Sequence, residues 1–169
     1  LVEPLTNPDH NEGQNWIASR GIHGNPAEAM PTMNFTEWQN WTFGTNDLAN
    51  PAISGPGADP DGDGWNNFAE FALGMPPEDS TVIPNQIRGD FITIEGVDFL
   101  SIEFESWAGA IGASFTMEVS KDLKTWTSDT MEMTPSLPHE DGTITRTLRS
   151  VEAASASDMN FARLKINPE

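Results

Sequence analysis

Four carboxylates fall at positions 1, 3, 5 and 12 of the stretch Asp59-Pro-Asp61-Gly-Asp63-Gly64-Trp65-Asn-Asn67-Phe-Ala-Glu70. So much negative charge in so short a segment needs a counter-charge, and the spacing is that of a loop wrapped around a hard divalent cation. In such a loop Asp59, Asp61 and Asp63 each offer a side-chain oxygen, and Gly64 makes the sharp turn at position 6. The Trp65 backbone carbonyl serves position 7, Asn67 serves position 9 directly or through water, and Glu70 closes the site bidentately. The expected ion is Ca2+, which takes about six to eight oxygen ligands. An ordinary surface turn also uses Asp, Gly and Pro, but it has no need of Asn67 and Glu70 at those offsets. The chemistry is that of a structural ion site whose positions the protein itself fills, which leaves little room for a substrate.

Nothing else in the chain gathers catalytic residue types. There are no cysteines, so disulfides and thiolate zinc sites are excluded. His10, His23 and His139 stand apart in loop-like surroundings with neither metal-site nor triad spacing. Glu103 and Glu105 alternate along one exposed strand face, where carboxylates serve solvation. No enzyme is expected. With 26 acidic against 8 basic residues the formal charge is −18, a field that repels phosphate backbones and anionic lipid, so nucleic acid is not an expected partner. No apolar run approaches the roughly 18 residues of a membrane span. Six tryptophans are a generous supply of rings for stacking on sugars. Trp38, Trp41 and Trp126 fit apolar faces and are expected in the core, which leaves Trp107, Trp65 and Trp16 as candidate ligand-binding residues.

The elements that must hold the acidic loop follow from the pattern on either side of it. A chain of 169 residues with 37% hydrophobic residues is globular in composition. Up to Ile87 it carries twelve acidic residues and one basic, and from Arg88 onward fourteen and seven, so the two parts are built differently. Residues 1–33 show no sustained period and read as an irregular lead-in with Trp16 and Ile17 as anchors. Residues 34–77 read as a helical segment carrying an EF-hand-like calcium loop. Asn34 and Glu37 cap a helix of about two turns that ends at Gly44, and a brief turn of helix follows over Thr45 to Ala49. Ser54-Gly-Pro-Gly57 breaks the chain ahead of the loop, and Asn67 to Leu73 forms the exiting helix, stopped by Gly74 and Pro76-Pro77. No helix enters directly before Asp59.

From Arg88 the period becomes two. Ile92 and Ile94, then Leu100, Ile102 and Phe104, then Phe115, Met117 and Val119 alternate with polar residues. Further strands are expected over 126–133, 143–148 and 161–166. Six or so short, half-polar strands over 88–169 predict a mainly β fold, an antiparallel β-sandwich of immunoglobulin or fibronectin type.

The run Phe35-Thr-Glu-Trp38 to Phe43, then Ala58-Asp-Pro-Asp-Gly-Asp-Gly64 and Asn67-Phe-Ala-Glu-Phe-Ala-Leu-Gly74, resembles the C-terminal accessory modules of large secreted proteins of verrucomicrobial and planctomycete bacteria. The strings Phe115-Thr-Met-Glu-Val-Ser-Lys-Asp-Leu-Lys-Thr-Trp126 and Phe161-Ala-Arg-Leu-Lys-Ile166 extend the likeness to roughly residues 34–167. The acidic segment is also similar to dockerin and thrombospondin type 3 calcium loops. The resemblance implies an extracellular or cell-surface location, calcium on Asp59, Asp61, Asp63, the Trp65 carbonyl, Asn67 and Glu70, and no catalysis. Trp at 65 departs from the smaller aliphatic residue commoner there. The expected role is a calcium-stabilised assembly or anchoring module whose partners are the parent polypeptide or neighbouring subunits. The alternative is a polysaccharide-binding module appended to a polysaccharide-degrading enzyme.

Overall fold

A computed structural model describes residues 32–82, 87–133, 138–139, 141–154 and 161–169. The lead-in up to residue 31, with Trp16, His10 and His23, lies outside the described residues.

Local signals account for the helices. In α1 (Phe35–Thr42) the Asn34 side chain accepts from the Glu37 amide at 3.0 Å, and the Asn34 amide donates to Glu37 Oε2 at 2.8 Å. This is the reciprocal capping box that the two residues predict. Two single turns follow, α2 (Thr45–Leu48) and α3 (Pro51–Ser54). The second was not expected from the sequence, yet Pro51 in its first turn and Asn50 as its N-cap, accepting from the Ala52 amide at 3.1 Å, are good start signals. Helix α4 (Asn67–Leu73) is capped by Asn66, which accepts from the Ala69 amide, and ends on Gly74 at φ 78°, where a side chain would be strained.

The sheets are antiparallel apart from one short pair. Strands β2 (Arg88–Ile94), β3 (Val97–Trp107), β7 (Thr143–Ser150) and β6 (Thr130–Glu132) form a four-stranded sheet in the order β2-β3-β7-β6. Strands β5 (Ala113–Ser120) and β8 (Phe161–Pro168) form a second, with Met117 opposite Leu164 and Glu118 opposite Arg163. Strand β6 is shorter than the expected 126–133 run, whose start makes only a bridge from Thr127 to Val119. The β2–β3 hairpin turns on Glu95 and Gly96 at φ 53° and 80°, both left-handed, as a two-residue turn compatible with strand twist requires. Two very short strands not foreseen, β1 (Met33–Asn34) and β4 (Ala110–Ile111), pair in parallel and tie the start of α1 to the sheet half. The described fold is therefore β-rich, with antiparallel sheets.

The two halves share their interior. One cluster joins Met33, Trp38 and Phe43 to Phe71 and Ala72 of α4 and to Trp107 at the end of β3. The other joins Leu73 and Met75 to Leu100, Ile102, Phe104, Met117 and Leu148, with Trp65, Ala162, Leu164 and Ile166 packed against them. Helix α4 is the hinge between the clusters. Its Phe71 is fully buried, with Trp107 edge-on at 5.6 Å and Trp38 tilted at 5.8 Å between ring centroids. No helix among the described residues is long and apolar enough to cross a membrane.

Candidate metal centre

The acidic loop is wound by its own side chains. Asp59 accepts from the Gly62 amide at 2.9 Å and the Gly64 amide at 3.1 Å, Asp61 from the Asp63 amide at 3.2 Å, and Asp63 from the Trp65 amide at 2.7 Å. Gly62 and Gly64 sit at φ 75° and 97°, where only glycine is at ease. The loop closes by a pair of backbone bonds: the Asn67 amide donates to Ala58 O at 2.8 Å and the Phe68 amide to Pro56 O at 3.1 Å. The result brings one carboxylate oxygen each of Asp59, Asp61 and Asp63 within 4.8 Å of one another.

Glu70 is one helical turn into α4 and only 1% exposed. Among the described residues neither of its carboxylate oxygens has a hydrogen-bond partner, and the same holds for Asp61 Oδ2, Asp63 Oδ2 and Asn67 Oδ1. Each buried oxygen left without a partner costs about 1–3 kcal/mol, and more if it is charged. Burial, followed by the charges of Asp61, Asp63 and Asp59, pushes the Glu70 carboxyl up to about 8. Asp61 is raised too, chiefly by burial and then by Asp63 and Asp59, against a lowering bond from the Asp63 amide. A set of carboxyl and carboxamide oxygens without partners among the described residues fits a hard divalent cation in ligand type.

Asn67 has a second task that its loop position gave no hint of. Its Nδ2 donates to Ile53 O at 2.7 Å and to Gly55 O at 2.8 Å, so the residue clips the end of α3 to the start of α4. The clip is continued by Gln39 Nε2, which donates to Ser54 O at 2.6 Å, and by Ser54 Oγ, which donates to Leu48 O at 3.2 Å. The loop, α3 and α1 are thereby one polar unit. The missed signal was the run of backbone acceptors at a helix end, which only the fold brings to Asn67.

The expected ligand-binding tryptophans fare differently. Trp107, expected in an exposed turn, is the last residue of β3 and 1% exposed, because Phe71 of α4 lies edge-on against it. Its ring is core and has no face for a sugar. Trp65 is half-buried, packed on the sheet cluster, and Trp16 lies outside the described residues. Trp41, expected in the core, is 54% exposed. It lies three residues from buried Trp38 in α1, a spacing that only roughly shares a face. Trp126 is half-buried, with the Arg163 guanidinium 4.2 Å from its ring centroid. Comparison with family models, curated proteins and solved structures gives no match, so the reading rests on the residues and geometry above.

Proposed function

We propose that residues 59–70 bind one calcium ion through Asp59, Asp61, Asp63, the Trp65 carbonyl, Asn67 and Glu70. The chain then serves as a non-catalytic, calcium-stapled module of an extracellular or cell-surface protein, attaching its parent polypeptide to neighbouring subunits. The observation that carries the reading is Glu70: a buried carboxyl on α4 with no hydrogen-bond partner among the described residues, acted on by the charges of three aspartates whose own oxygens converge. The ion takes the place of the proton that Glu70 otherwise keeps, and the helical segment is drawn onto the sheets through Phe71 and Leu73. An immunoglobulin- or fibronectin-type sandwich is the fold proposed for the sheet half, since both sheets contribute side chains to one cluster. Exposure to the millimolar calcium found outside cells suits a site of this kind.

The polysaccharide reading ranks second because its leading residue, Trp107, is buried. Thermal melts in calcium and in chelator test the first reading. A rise with the logarithm of calcium concentration, lost in Glu70→Gln, is expected, and identical melts would remove it. Binding of a neutral or acidic polysaccharide abolished by Trp41→Ala would put the second reading first.

A further inference from the structure

A groove of about 700 Å³ opens between the start of α1, the Pro56-Gly57 bend, β4 and the end of β8. Its walls are mostly apolar, formed by Phe35, Phe68, Ile111, Ile166 and Pro168, and Glu37 is the one charged side chain among its lining residues. Ile111 is 54% exposed there.

We propose that this groove is the seat of the chain's own residues 1–31, anchored by Trp16 and Ile17. Two observations choose this occupant. The chain enters the described fold at the groove: the Met33 amide donates to Gly109 O at 3.0 Å, and Asn34 and Phe35 line the wall. Thirty-one residues precede that point, and Trp16 and Ile17 stand fifteen or so residues before it, a reach of up to roughly 50 Å when extended, so tether length sets no barrier. A second copy is the weaker occupant on magnitudes. A tethered segment meets its site at an effective concentration on the order of millimolar, about a thousandfold above a micromolar partner, and two copies of charge −18 repel.

The absence of native cysteine makes the test clean. The full chain carrying Ile17→Cys and Ile111→Cys is oxidised at micromolar concentration, beside a control pairing Ile17→Cys with Leu123→Cys, which is exposed in the turn after β5. Pro168→Cys, an exposed position on the groove wall, replaces Ile111→Cys as a second trap in case that variant folds poorly. The expected result is a monomeric disulfide formed at least about tenfold faster than in the control, slowed to the control rate by Trp16→Ala. Equal rates in groove and control pairs, indifference to Trp16→Ala, or disulfides found only in dimers would each overturn the assignment.

Discussion

The helical half and the sheet half reach stability by different means. Between residues 32 and 82 there are eight acidic residues and no lysine or arginine, and the helices are eight, four, four and seven residues long. Helices so short do not persist on their own. They are held by caps, by the Asn67 and Gln39 bonds to backbone carbonyls, and by rings driven into a cluster shared with β3. The sheet half instead carries long registers, seven residue pairs between β2 and β3 and eight between β5 and β8. Among its described residues the one buried carboxylate, Glu118, is satisfied at once by Arg163 and Lys165. The bond from Arg163 leads the causes that hold that carboxyl below its usual range, whereas burial and the charges of Asp61, Asp63 and Asp59 drive Glu70 the other way. A buried carboxylate in this protein is thus answered by arginine in one half and, in the function proposed for the loop, by an ion in the other.

The largest expected effect breaks the joint between the halves. Phe71→Ala removes a fully buried ring from the shared cluster and should cost about 3–5 kcal/mol in denaturant unfolding, while Phe91→Ala, 54% exposed on β2, should stay within about 0.5 kcal/mol. Similar costs at both positions would mean that the clusters are not joined through α4.

The pH dependence of the metal-free protein comes next. The folded-state pKa of Glu70, about 8, lies above its ordinary 4.5, so the native state holds an extra proton between those values. Stability in chelator is then fully present below about pH 4.5 and declines as pH rises through 8. Melts at pH 5 and pH 8 check the sign. Calcium should flatten the decline, and Glu70→Gln should abolish it.

Asn67 separates clip from ligand. Asn67→Asp keeps oxygens for an ion but loses the two donors to Ile53 and Gly55, and should cost roughly 1–3 kcal/mol in chelator while calcium still binds. If Asn67→Asp melts like the parent in chelator, the clip contributes nothing. The smallest effect lies in the sheet half, where Glu95→Asn should suit the left-handed turn position better and raise stability by roughly 0.5 kcal/mol.

What was legible in the sequence was local. Asn34 and Glu37 three residues apart, and Gly74 ahead of two prolines, specify α1 and the end of α4 without help from distant residues. The three aspartates converge because their spacing and the loop's glycines act within a few residues. Trp107 was misread because its burial depends on Phe71, thirty-six positions earlier, and a residue beside Ala-Gly reads as a turn until a helix covers it. Strands β1 and β4, two residues each, carry too little pattern to be seen, and their parallel pairing is set by where the halves meet. The donors of Asn67 belong to the same class: its loop position says oxygen, and only the fold shows what its nitrogen holds.

Calcium titration calorimetry on the full chain, beside Glu70→Gln, is the most direct test of the central claim. The account predicts one ion per chain, protons released on binding near neutral pH as Glu70 gives up its own, and loss of most of the affinity in the variant. At a hundredfold excess over the dissociation constant the parent should also gain about 2.7 kcal/mol of stability. Absence of binding at millimolar calcium, or equal affinity in parent and Glu70→Gln, would contradict it.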